Sequence, residues 1–80
     1  MRTDPARRAR IWRHAAAYPG GTPPASAGIH RAAMDDITEP AVRYLCYRME
    51  ADGQLTRVTA HDPDQGRPVN YWHPVPGAFP

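Results

Sequence analysis

The stretch ITEPAVRYLCYRMEADGQLTRV, residues 37–58, decides the fold, because it holds a helix start, a helix phase, a helix stop and a strand start in one run. Thr38 is the N-cap, Glu39 takes the first helical position, and Pro40 sits just inside, where a missing N–H costs nothing. Val42, Cys46 and Met49 stand at i, i+4 and i+7, which puts them on one buried stripe. Gly53 follows "EAD" as a C-terminal stop. Leu55, Arg57 and Val58 then open a strand. The spacing therefore predicts a helix over about 39–52 that hands straight over to a β-strand.

Upstream, "DPARRARIWRHAAAY" predicts a first helix over about 4–18, with Asp4 as N-cap, Pro5 at the first position and "YPGG" as the end. Ile11, Ala15 and Tyr18 fall on one face with Trp12 and Ala16 alongside, and Arg7, Arg8, Arg10 and Arg13 crowd the remaining surface. A turn-like Gly-Gly-Thr-Pro-Pro stretch comes next. A second helix is expected over about 24–34, capped by Thr22 or Ser26, weakened by Gly28, with Ile29, Ala32 and Ala33 as a small apolar face. "DDIT" breaks it, and Ile37 plugs the turn into the core. Downstream, "HDPDQG" has turn chemistry, and "RPVNYWHPV" returns as a strand with Val69, Tyr71 and Trp72 apolar. Pro68 confines the start of that strand to an edge position. The hairpin spans about 55–73 and leaves 74–80 as a loose tail. The whole is one α+β domain of three helices followed by a two-stranded β-hairpin, with no internal repeat.

Composition bounds the rest. Eighty residues allow one domain with a core that is only just sufficient. Ile, Leu, Val and Phe number only ten, a share that leans towards disorder, but two Trp, four Tyr and three Met offset it. So thin a core favours self-association. The net charge is a mild +2, yet all ten basic residues are Arg. A GC-rich coding bias accounts for most of that preference, though not for where the arginines sit. Arg binds phosphates and guanine edges through a planar fork.

The order helix, helix, turn, helix, hairpin resembles a winged helix-turn-helix domain, and the likeness sharpens in the quoted stretch. A Thr cap, a Glu-Pro pair, buried Val42 followed by Arg43, and an exit through Met49, Glu50, Gly53, Leu55 and Arg57 look like the recognition helix and first wing strand of small bacterial winged-helix transcription regulators. Gly66, Arg67 and Pro68 ahead of Tyr71 are similar to the return of such wings, and "YPGGTPPASAGI" resembles the passage from their first helix to their second. The resemblance covers about residues 9–75. Two features depart from the pattern. "IHRAAMDDIT" is longer than the usual joint, and Asp35 and Asp36 place negative charge at the recognition-helix entrance, which suits the helix dipole but repels phosphates.

The resemblance implies sequence-specific binding of double-stranded DNA. With Val42, Cys46 and Met49 inward, Arg43, Tyr44 and Tyr47 face the groove, Arg43 towards a guanine edge and the tyrosines towards phosphate or a thymine methyl. Thr38 is placed to reach a phosphate. Arg57, Arg67 and His61 at the wing are expected on the DNA backbone or minor groove. The bland alternatives are packing of Tyr44 and Tyr47 against the wing or a partner chain, and a solvated Arg43. A homodimer on a two-fold site is expected, since one module this small buries limited surface. No effector domain follows the wing, so small-ligand control is not expected. The rival is a winged-helix module repurposed to bind a host protein, such as a phage-encoded inhibitor; Asp35, Asp36, the low net charge and the two tyrosines favour it.

Other chemistry is thinly represented. His14, His30, His61 and His73 lack metal-ligand spacing with one another or with Cys46, so no metal or other cofactor is expected. "HDPDQG" lacks the later bidentate Glu of a calcium loop. Cys46 on the buried face reads as an inert thiol. No serine–histidine pairing, phosphate loop or carboxylate pair points to an enzyme. No apolar run reaches membrane length, and the Arg-rich N-terminus has no apolar segment behind it. The expectation is a cytoplasmic protein of a bacterium, phage or plasmid.

Overall fold

The computed structural model describes residues 5–18 and 24–79, and places three helices ahead of an antiparallel hairpin: α1 Pro5–Ala16, α2 Ser26–Ala33, α3 Glu39–Ala51, β1 Leu55–Asp62 and β2 Arg67–Pro74. This is the α+β arrangement expected, and its layout is that of a winged helix. The anticipated caps Asp4 and Thr22 and most of the Gly-Gly-Thr-Pro-Pro turn lie outside the described residues.

The decisive stretch folds as its residues dictate. Thr38 is extended, and its hydroxyl accepts the N–H of Ala41 at 3.3 Å. At the other end Gly53 adopts φ +76°, Gln54 N–H donates to Met49 O, and Gly53 N–H donates to Glu50 O. That 6→1 and 5→2 pair closes the helix and turns the chain directly into β1. Val42, Cys46 and Met49 are fully buried, and Leu45 joins them. Ile11, Ile29, Met34, Leu55 and Trp72 complete the core, with Trp72 its largest side chain. Ile37 packs partly buried against this cluster.

β1 and β2 pair without a break from Leu55↔Pro74 to Asp62↔Arg67. A third, minimal strand lies on the other side of β2: Ala25 bridges Tyr71, and Trp72 N–H donates to Pro24 O at 3.0 Å. The Trp72 N–H therefore points away from β1. N–H direction alternates along a strand, so positions 68, 70 and 74 point the same way. Neither Pro68 nor Pro74 removes a bond from the β1–β2 ladder, and Pro68 falls on the open part of the β2 edge.

Four expectations are corrected. Helix α2 starts at Ser26 because Pro24 and Ala25 are drawn to β2; its cap residue is Ala25, and Ser26 turns its hydroxyl to accept from Trp72 Nε1 at 3.2 Å. Helix α1 stops at Ala16, which leaves Tyr18 41% exposed, outside the core. Arg8 is not on the outer face but 8% exposed, on the same side as Ile11 and Ala15. The segment after β2 is not loose: Val75 N–H donates to Gln54 O, Trp12 Nε1 donates to Val75 O at 3.0 Å, and Phe79 packs on the Trp12 ring.

Candidate nucleic-acid interface

The first turn of α3, the start of α2 and the far end of the hairpin converge on a cleft of about 220 Å³. Ala25, Ser26 and Ala27 form one wall, Glu39 and Arg43 a second, and Gln65 to Asn70, except Gly66, the third. Helix α2 begins there without a side-chain cap, so its first N–H groups keep the partial positive charge of a helix N-terminus. The alternation of β2 turns the Asn70 N–H towards the same edge as that of Trp72. Arg43 and Arg67 add two guanidinium groups. Both are held by neighbours: Arg43 Nη1 lies 3.4 Å from Glu39 Oε1, and Arg67 donates through Nε and Nη2 to Gln65 Oε1 at 3.1 and 2.9 Å.

A second cluster joins the middle of α3 to the α3-facing side of the hairpin. The Tyr47 hydroxyl accepts from Asn70 Nδ2 at 2.9 Å, and its ring meets Trp72 edge-on with centroids 5.2 Å apart. The Arg57 guanidinium lies over the same ring, 5.4 Å from its centroid, and its Nε is 3.3 Å from Glu50 Oε2. Tyr47 is thus packed against the wing, the alternative weighed from the sequence, although 38% of it stays exposed. Arg57 stands beside α3 and not at the wing tip.

The remaining candidates are more scattered. Tyr44 is 44% exposed on the outer side of α3. Thr38 is committed as a cap acceptor but keeps its hydroxyl proton to donate. His61 is exposed near the tip, opposite Pro68. The tip itself is organised by acid: Asp62 accepts from the Asp64 N–H at 2.8 Å and from Gln65 Nε2. The fold therefore brings Arg43 and Arg67 together, joins Tyr47 to Arg57, and leaves Thr38, Tyr44 and His61 apart.

Sequence reasoning missed Asn70, Gln65 and Arg8. Asn70 shares the period-2 face of Trp72, so strand alternation was enough to find it. Arg8 precedes Ile11 by three and Ala15 by seven, the spacing of the core stripe itself. It donates to Asp52 Oδ2 at 2.6 Å and Gln54 Oε1 at 2.9 Å, while its buried Nε has no hydrogen-bond partner. Cys46 takes no part in any of this: burial pushes its thiol up to about 12, so it stays protonated. Among the described residues no group of three or more His, Cys, Asp or Glu gathers for a metal ion, and no helix is long and apolar enough to cross a membrane. No family model, curated protein or solved structure matches this chain.

Proposed function

We propose that this chain is a sequence-specific DNA-binding protein, a small transcriptional regulator of the winged helix-turn-helix type that acts on double-stranded DNA as a homodimer. The observation that carries the reading is the cleft. Donors from three separate elements, the uncapped start of α2, Arg43 on α3 and Arg67 on the hairpin, converge on one site. A DNA strand needs that combination: a helix N-terminus and a guanidinium for phosphates, and a second guanidinium near the helix start for a base edge. Glu39 pairs with Arg43 at 3.4 Å, and an exposed pair of this kind costs little to exchange for a phosphate or a guanine.

Binding to duplex DNA titrated with salt tests the reading. Wild-type affinity should fall steeply with salt, and Arg67→Ala should reduce the slope by about one while weakening all sequences evenly. Arg57→Ala should do less, because Glu50 and the Tyr47 ring already engage it. Absence of duplex binding at low salt ends the proposal.

A second reading has a specific observation behind it. Arg43 and Arg57 are each paired with an acid of the chain, Asp62 and Asp64 occupy the wing tip, and Pro40, Tyr44 and Ala51 are exposed along α3. That mixed face suits a host protein partner better than a phosphate backbone. Recovery of a protein from nuclease-treated lysate, together with no DNA affinity, would select it.

A further inference from the structure

We infer that β1 is a self-pairing edge: two copies of the chain join β1 to β1, antiparallel about Val58, into one β2–β1–β1–β2 sheet. This gives a surface to the homodimer proposed above and rests on that part of the reading, while the DNA part is independent of it.

The direction of the backbone carries the argument. Trp72 spends its N–H on Pro24, away from β1, so the Arg57↔Trp72 pair is a non-hydrogen-bonded one. By alternation Thr56, Val58, Ala60 and Asp62 bond to β2. Leu55, Arg57, Thr59 and His61 point their N–H and C=O groups to the free edge, where no further strand of the described residues lies. Such an edge is a template for another strand, and proteins normally blunt it with Pro, outward charge, a bulge or shortness. β1 has none of these. It runs unbroken over Leu55–Asp62 without proline, and its one basic residue other than His61, Arg57, is folded onto Tyr47 and Glu50.

The register makes a second copy the fitting occupant. Centred on Val58, Arg57 faces Thr59 of the other copy and Leu55 faces its His61, so all of the outward-pointing groups find partners on both chains. Centred on Thr59, Leu55 would meet Pro63, which has no N–H. Centred on Arg57, the two guanidinium groups would oppose each other. The Val58 register also puts Val58 against its symmetry mate at a Cα separation of about 4.5 Å, the close spacing of a non-hydrogen-bonded pair. Val58 is 43% exposed in the single chain and sits beside Tyr71 on the sheet face turned away from α3. Pairing covers it between two tyrosines.

The experiment is the solution mass of the DNA-free protein by light scattering or sedimentation equilibrium. Wild type should show the mass of two chains. Val58→Lys and Val58→Glu should each drop to one chain with the Trp72 near-ultraviolet signal intact, and an equimolar mixture should return to two, because unlike charges then meet at the centre. Thr59→Pro removes an N–H that β2 does not use and should also give one chain, whereas Thr59→Ala keeps that N–H and should give two. A wild-type mass of one chain up to millimolar concentration overturns the inference, as does a two-chain mass in Val58→Lys. The measurement contains no nucleic acid, so its failure strikes the self-pairing and leaves the DNA reading to the salt titration.

Discussion

Arg8, in the first helix, closes on Asp52 at the end of the third at 2.6 Å, and the same guanidinium reaches Gln54 at the root of the hairpin. One buried cation thus ties α1 to the corner where α3 becomes β1. The pair is lopsided, since Arg8 is enclosed while the Asp52 side chain is 43% exposed. Removing the acid strands a desolvated charge whose Nε is already unpartnered, whereas Arg8→Met keeps the packed stem and removes the charge. Asp52→Ala should therefore lower the urea midpoint more than Arg8→Met. The reverse order would mean that the stem, and not the charge, holds the corner.

The same contact sets an acid limit. The hydrogen bond from Arg8 holds the Asp52 carboxyl below its ordinary range, with Arg48 helping from one turn away. A depressed folded value means that the contribution is complete above the unfolded value, about 3.9, and is lost as pH falls through the folded one. Asp52→Asn should flatten that part of the stability curve. Urea midpoints measured between about pH 5 and pH 2 on both proteins check it, and parallel curves would remove Asp52 as the cause.

Met49 tests the phase of α3. It is fully enclosed in the core cluster with Cys46 and Val42. Met49→Ala should cost about 2–5 kcal/mol, the usual range for a large-to-small core change. An unchanged denaturation midpoint would mean that the helix is rotated, and with it every residue assigned to its outer side.

What the sequence made legible followed from local chemistry. Thr38, Pro40 and Gly53 act within a few residues of themselves, so both ends of α3 could be read, and so could its stripe. Apart from Arg8 and Asn70, whose spacing was readable, the errors lie where a distant partner decides. Ala25 leaves the helix because Tyr71 and Trp72 claim the chain there, and the start of α2 shifts with that choice. Phe79 and Val75 dock because Trp12 has an open flank and an N–H to satisfy. The candidate site divides the same way. Helix phase alone puts Arg43 off the core, whereas the pairing of Arg57, expected on the DNA from the first wing strand, with Glu50 and the Tyr47 ring depends on how the hairpin packs on α3.

Arg43 should carry discrimination between sequences and not only affinity. It stands one residue beyond buried Val42, about 100° round the helix, within the first two turns. Those turns are the part of a recognition helix that reaches base edges. Arg43 lines the cleft together with Arg67, and its guanidinium pairs with Glu39. A bidentate arginine–guanine pair is worth about 1–3 kcal/mol of discrimination. Arg43→Ala should compress the gap between the preferred site and random duplex by that amount and leave the fold intact. Arg48 is the control: five residues further on, it is rotated about 140° from Arg43 and does not line the cleft. Arg48→Ala should change selection little. Competitive selection from a randomised site library reads both variants, and an Arg43→Ala protein that recovers the wild-type sites returns Arg43 to an ordinary surface pair with Glu39.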